Sequence, residues 1–380
     1  MPIGGGKNLA SKYAKQIDER FTRESQAMMA LNNEYDFTGV KTVNVYSIPV
    51  VPLNDYQRTG TQRYGTPDDL QRNVQTLTIR KDRAFTFIID RGDKLQSEMA
   101  MDVGKALSRQ LKEVWVPEYD TYVFRTLAAA ATEIGNYSTT AITKANAYEQ
   151  FLEGMEALGN ANVPDQGRVC FASYRFANLL KQDPAFMKYG NQSQEMVIKG
   201  IMGECDGCKI VKVPSSRLPA GAAFLITHPI AATAPKQLEE TKIHDNPPGI
   251  SGWLTEGRFI YDCFVLNNKA KAIYYHGSQA VMKVLNVITA PGSTTTKSQV
   301  ILEPGAHDAL GSKWYAMSAA AASGLTGVTY GTAITTSAWT EITANGAEYT
   351  ATAGDKYIRV VEVDSANKPI AMGDAILNLG

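Results

Sequence analysis

The chain has 380 residues, 44% of them apolar, and balances 38 basic side chains against 38 acidic ones. That length exceeds one ordinary core, so two or three domains are expected, and the zero formal charge argues against a protein that grips nucleic acid by neutralising phosphates. No stretch approaches the ~18 apolar residues of a membrane span, and the opening Met1 to Lys7 lacks the apolar core of a signal peptide.

From Leu9 to Leu31 the sequence is charged and helix-prone, with Tyr13, Ile17, Phe21 and Met28 in a loose helical rhythm. So thin a stripe at a chain end suits an arm laid on a neighbour better than a core helix. Lys41 to Ile48 reads as a strand, and Thr76 to Asp90 alternates, with Leu77, Ile79, Phe85, Phe87 and Ile89 on one parity and Thr78, Arg80 and Thr86 on the other. Between them lie roughly two dozen residues rich in Pro, Gly, Asp and Arg, a connection too long for a compact domain unless it has a job. The pattern predicts a long two-stranded arm with an irregular tip. An isolated hairpin is only marginally stable in water, so the arm implies a partner.

Leu95 to Val116 carries Met99, Val103, Leu107, Leu111 and Val114 at helical spacing, about six turns at ~3.6 residues each. Pro117 should kink or break it, and Glu118 to Thr132 can resume it as a long spine. Asn146 with Glu149 resembles a capping box opening a helix through Phe151, Leu152, Met155 and Leu158 that stops at Gly159. Val169 to Phe171, Lys209 to Val213 and Phe224 to Thr227 read as strands and Ser173 to Leu180 as a helix, which makes this region α+β. Glu256 to Leu266 returns to strand through Phe259, Tyr261, Cys263 and Val265, and Asn267-Asn268 turns into Ala270 to Tyr275, so the chain comes back to pair near the spine.

After Gly277 the composition shifts to Ala, Thr, Ser and Gly. Strand candidates at Trp314 to Met317, Trp339 to Ile342, Tyr357 to Val363 and Ala375 to Leu379, with a turn at Asp364 to Asn367, suggest a small immunoglobulin-like sandwich. It is attached through the linker-like Thr289 to Lys297.

The candidate chemical motifs have simpler readings. Four cysteines in so long a chain indicate a reducing compartment. The pair Cys205-Asp-Gly-Cys208 lacks the second ligand pair of a zinc site and the strand-to-helix context of a redox site, whereas Asp206-Gly207 is a strong hairpin turn. Gly4-Gly5-Gly6-Lys7 lacks the earlier glycine and following Ser or Thr of a phosphate loop. His228, His244, His276 and His307 fall in no metal-ligand or triad spacing, and His244 to Gly249 is a rigid Pro-Pro-Gly turn. Catalytic, cofactor-binding and metal residues are therefore expected to be none. In the arm, Tyr56, Arg58, Arg63, Tyr64, Asp68, Asp69 and Arg72 mix planar donors, rings and carboxylates, a set that suits inter-subunit contacts better than a nucleic-acid patch.

The order of thin arm, long hairpin, spine helix, mixed domain and returning strands resembles the tailed-bacteriophage major capsid fold of the Hong Kong ninety-seven type. Longer words resemble a branch of it from phages of Gram-positive bacteria: Val40-Lys-Thr-Val-Asn-Val-Tyr-Ser-Ile48, Pro52-Leu-Asn-Asp-Tyr56, Lys242-Ile-His-Asp-Asn-Pro-Pro-Gly249, Gly252-Trp253-Leu254 and Val265-Leu-Asn-Asn-Lys269. The resemblance covers about residues 1–277. It implies an N-arm over 1–35, an E-loop over 36–93, a P-domain spine helix over 94–140, an A-domain over 141–250, and return strands of the P-domain over 251–286. Residues 287–380 would be a C-terminal β-sandwich decoration domain.

The same resemblance implies a subunit that closes into hexamers and pentamers of an icosahedral shell. That shell would be virion-located after synthesis in the bacterial host cytoplasm, and would enclose DNA without sequence-specific binding. A portal protein and a separate scaffolding protein would be its partners, with no membrane and no enzymatic activity. Some relatives bond an E-loop lysine covalently to a neighbour, but no lysine lies between Thr42 and Arg80, so a shell without covalent links is expected. Some carry a scaffolding segment ahead of the N-arm, and with the E-loop beginning near residue 38 no N-terminal trimming is expected. Other readings are an encapsulin-like compartment, a surface-binding protein acting through its C-terminal sandwich, and an oxidoreductase using Cys205 and Cys208.

Overall fold

The computed structural model describes residues 25–32, 35, 42–47, 53–59, 61, 63–64, 73–92, 103–188, 204–303 and 311–380. β1 (Thr42–Ser47) and β2 (Asn73–Thr78) pair antiparallel, with Thr42 opposite Thr78 and Ser47 opposite Asn73. β3 (Lys81–Asp90) then leaves for a different sheet. The alternating run expected as one strand is thus divided at Ile79 and Arg80, and only its first part belongs to the arm. Parity survives the division because two residues intervene, which is why the sequence pattern does not reveal it.

The spine consists of α1 (Val103–Gln110), a π turn over Leu111–Trp115, and α2 (Val116–Glu133). Gln110 and Val116 both hold helical angles, so the axis runs on and Pro117 does not break it. Proline cannot donate to the carbonyl four residues back and its ring crowds that carbonyl; one wider turn just upstream relieves both problems. The expected helical residues from 95 to 102 lie outside the described residues. Along α2, Tyr119, Val123, Phe124, Leu127 and Ala131 form the buried stripe that the spacing requires.

α3 (Ala147–Asn160), β4 (Val169–Ser173), α4 (Tyr174–Gln182), α5 (Pro184–Lys188), β5 (Cys208–Val213) and β6 (Ala222–Thr227) build the mixed region. The capping box expected at Asn146 is not made. The Asn146 carboxamide turns back to accept from Thr143 and to donate to the Ala141 carbonyl, and Asp183 at the end of α4 accepts the Tyr148 N–H instead, at 2.9 Å. A cap from 35 residues away leaves no trace in local sequence.

β7 (Lys236–Asp245), β8 (Gly252–Tyr261) and β9 (Ile273–Gly277) follow. The six-stranded sheet runs Tyr137–Ser138, β9, β6, β4, β5, Glu204–Cys205. One face offers Val169, Phe171, Leu225, Ile273 and Tyr275 to α2; the other offers Cys170, Ala172, Phe224 and Ile226 to α3 and α4. Contact with α3 is close enough that a Cβ on Gly154 would come within 2.8 Å of Ile226 and Tyr274. A second sheet places β8 between β7 and β3, and Phe259 of β8 stacks on Trp115 of the spine at 4.0 Å and 16°.

The last part comprises β10 (Asn286–Pro291), β11 (Lys297–Glu303), β12 (Lys313–Ala319), β13 (Thr340–Ile342), β14 (Glu348–Thr350), β15 (Tyr357–Val363) and β16 (Pro369–Ile376). Its two sheets run Lys283–Val284, β16, β15, β12, β13 and β10, β11, β14. Val287, Val300, Leu302 and Tyr349 of the smaller sheet meet Trp314, Ala316, Ile358 and Val360 of the larger, so this is a sandwich with its own core. The segment Thr289 to Lys297 is not a linker: it is the end of β10, a turn and the start of β11. Its Pro, Gly, Ser and Thr residues are turn chemistry that composition alone mistakes for a tether. β16 also begins at Pro369, six residues before the strand expected at Ala375.

Candidate inter-subunit surface

The β1–β2 arm alternates its side chains across two faces. Val43, Val45 and Leu77 face inward and pack with Ile79 on Phe264 and Leu266 of the body. Gln75 fastens this root: its Nε2 donates to the Val265 carbonyl at 2.9 Å and its Oε1 accepts the Asn267 N–H at 3.0 Å. The arm was expected to find no home in its own copy, and at the root that expectation is corrected. Phe264 and Leu266 come late in the chain, so sequence order hides their contact with residues 43–79.

The other face stays open. Thr42 bonds Thr78 and Thr76 bonds Asn44 across the strands, and the opposed pair Tyr46 and Val74 is 58% and 50% exposed. Beyond the strands Tyr56 and Tyr64 meet edge to face at 5.1 Å while the Gln57 N–H donates to the Arg63 carbonyl. Arg58 and Arg63 are exposed, Tyr64 is 85% exposed and Leu53 fully so. Of the seven expected contact residues the structure therefore brings Tyr56, Arg58, Arg63 and Tyr64 to one exposed tip, whereas Asp68, Asp69 and Arg72 lie outside the described residues. Tyr, Arg and Leu side chains exposed together are of the kinds from which protein interfaces draw their anchors.

A second anchor escaped sequence reasoning. Asp120, fully buried on the inner face of α2, accepts from Ser25 Oγ at 2.6 Å, from the Gln26 and Ala27 N–H groups, and from Arg217 Nη1 at 2.8 Å. Asn32 continues the attachment by donating to the Pro229 carbonyl while its own carbonyl accepts from Thr233 Oγ1. Residues 25–32 of the N-arm are thus stitched to their own body, and the stripe Tyr13 to Phe21 lies outside the described residues. The available signal was a carboxylate inside an otherwise apolar stripe, flanked by Tyr119 and Val123.

Burial favours the protonated form of the Cys170, Cys205 and Cys263 thiols. Asp206 and Gly207 both adopt positive φ, 51° and 72°, and form the expected tight turn between Cys205 and Cys208. Burial, with the Asp206 charge beside it, pushes the Cys205 thiol up to about 11, and burial raises Cys170 and Cys263 well above the ordinary range. His244 meets Glu256 diagonally across the β7–β8 pair at 3.2 Å, both half-exposed, and Asn246 and Gly249 take the positive φ of the connecting turn.

No protein-family model matches the chain and no curated protein sequence matches it. Solved structures do. A chain in a structure of Mycobacterium phage Che8 aligns at TM-score 0.59 and 17% identity, over 72% of this chain and 98% of that one. One in the capsid structure of cyanophage P-SCSP1u aligns at 0.55 and 15% identity, over 70% and 92%. One in the mature capsid of bacteriophage PhiM1 aligns at 0.53 and 10%, over 70% and 91%. The share of this chain left over is close to the size of the C-terminal sandwich, an additional β unit. The fold is that found in phage capsid structures.

Proposed function

We propose that the chain is the major capsid subunit of a tailed bacteriophage, assembling with copies of itself into the icosahedral head shell around double-stranded DNA. The observation that carries this reading is the arm: its root is built into the body, yet Tyr46 and Val74 on its outer face and Leu53, Tyr56 and Tyr64 at its tip keep half or more of their surface exposed. A monomeric protein gains nothing from such a projection, whereas a shell needs one per subunit to bridge to the next. The likeness to phage capsid structures supports the same reading. In this reading the chain is divided into N-arm, E-loop, P-domain, A-domain and C-terminal immunoglobulin-like sandwich, with the paired strands of the E-loop ending at Thr78 and the sandwich's larger sheet taking in Lys283–Val284. A portal protein and a separate scaffolding protein are the partners, the virion is the location, and the role is structural, without catalysis.

The arm has no lysine between Thr42 and Arg80, and the next one, Lys81, is engaged at the joint by Asn286 at 2.9 Å. The shell is therefore held by contacts alone, and denaturing gels of intact particles should show a monomer-sized band; a covalent ladder would end that idea. The function is tested by electron microscopy of the purified chain, expressed with and without a scaffolding partner. Closed shells are expected, and a monodisperse monomer under both conditions would overturn the reading.

A further inference from the structure

The C-terminal sandwich is not hung on a tether. The chain leaving β9 is pinned to the end of the spine as Ser278 donates to the Gly221 carbonyl, Val281 donates to Thr132 Oγ1 and Lys283 pairs with Glu133 at 2.8 Å. Arg125, halfway along α2, donates to the Met372 carbonyl in β16, and burial lowers its guanidinium's pKa from the ordinary value. Tyr330, in the β12–β13 connection, meets Tyr137 edge to face. Such a seat fixes the orientation of the sandwich on the body.

That seat reaches the joint of the arm. Between β2 and β3 the backbone of Arg80 donates to Asp262 Oδ2 at 2.9 Å, and Ile79 is buried. One residue on, Lys81 Nζ donates to Asn286 Oδ1 at 2.9 Å, and Asn286 in turn donates to Glu303 Oε2 in the neighbouring strand of the sandwich. The Lys81 ammonium also lies 5.3 Å from the Tyr122 ring. A hydrogen-bonded path thus runs from the joint into the smaller sheet of the sandwich. A cavity of about 410 Å³, lined by Arg80, Asp262, Glu133, Lys283 and Glu362 among others, shows how closely arm joint, spine and sandwich converge.

We infer that the C-terminal sandwich has a second role besides that of an added surface domain: it braces the β1–β2 arm, setting its angle to the body through the Lys81–Asn286 contact. The inference rests on the capsid reading for the importance of that angle, because an arm that must meet a neighbour is useful only in one direction. The brace itself is a property of the single subunit. Where covalent links are absent, it supplies rigidity at the base of the arm instead of a bond at its tip.

The test is hydrogen–deuterium exchange on the free, full-length subunit, which reads the brace whether or not shells form. Lys81→Met, which keeps the length and apolar body of the side chain, and Asn286→Ala should each speed exchange across residues 73–80 by about tenfold, the loss expected of a hydrogen bond from a charged donor. The double variant should exceed neither single one, because both remove the same contact. Lys297→Ala, which breaks an ion pair inside the sandwich with Glu348, should leave the arm unchanged. Unchanged exchange at 73–80 in Lys81→Met, or full additivity in the double variant, overturns the brace. Should Asn286→Ala unfold the sandwich, Lys81→Met still decides, since it alters no sandwich residue. Failure of the wild-type chain to form shells would strike the capsid reading and leave this measurement standing.

Discussion

The arm and the C-terminal sandwich are both antiparallel β structure, yet they dispose of their apolar faces in opposite ways. In the sandwich the two sheets cover each other, and even the outer face of the larger sheet is roofed by the β12–β13 connection, whose Val328, Ile334 and Trp339 lie on Tyr315, Val361 and Val363. In the arm Leu77 and Ile79 are covered, while Tyr46, Val74, Leu53 and Tyr64 are open. A two-stranded ribbon finds a second layer only as far as the body reaches. The sandwich keeps a shared core and, among the described residues, exposes only isolated large apolar side chains such as Ile288 and Ile376, whereas the arm exposes them on its outer face and at its tip.

Mutations can break or sharpen that contrast. The largest effect is expected in the sandwich, where Trp314→Ala should lower subunit stability by about 3–5 kcal/mol in denaturant unfolding; a loss below about 1 kcal/mol would mean that the two sheets do not share a core. The buried anchor comes next: Asp120→Ala strands the Arg217 charge in the interior, and about 3 kcal/mol of lost stability is expected, with proteolytic release of residues before 33 as a second readout. Leu77→Ala, at the covered root of the arm, should cost about 2 kcal/mol in the same assay. On the open face, Tyr46→Ala and Tyr64→Ala should move subunit stability by no more than about 0.5 kcal/mol, yet lower the yield of shells in electron micrographs. A large stability loss from either would show the arm folded back onto its own copy.

The smallest effect is a titration. Hydrogen bonds from Lys297 and Ser293 hold the Glu348 carboxyl down at about 2, below its ordinary 4.5. A depressed carboxyl contributes stability that is present above the ordinary value and fades as pH falls toward the depressed one. The contribution to the β10–β11 turn should therefore weaken between about pH 4.5 and 2, and an NMR titration with its midpoint near the ordinary value would mean that this turn is open in solution.

Elements whose signals are local were legible in the sequence. The Asp206-Gly207 turn, the stripe of α2 and strands β4, β5 and β6 each follow from spacing or turn chemistry within a few residues. The exposure of Tyr56, Arg58, Arg63 and Tyr64 was legible for a similar reason, since a long connection rich in turn residues offers no core to bury them in. What escaped depends on partners far along the chain: the Asp183 cap on α3, the Gln75 clamp on residues 265–267, the Asp120 anchor, and the division of the alternating run at Ile79. The false linker at Thr289 to Lys297 is a subtler case, because polar turn residues look alike whether they join two strands or two domains.

The π turn over Leu111–Trp115 sets the phase of the spine. One extra residue in a helical turn advances everything beyond it by about 100° around the axis. Trp115 is thereby aimed at Phe259 while Val103, about three turns earlier, is also turned inward. Wound as a regular α-helix, the same residues would place Trp115 about 100° away from the face it now shares with Val103. The spine's irregularity thus serves as a coupling between two helical faces that a regular repeat could not bring to the same sheet.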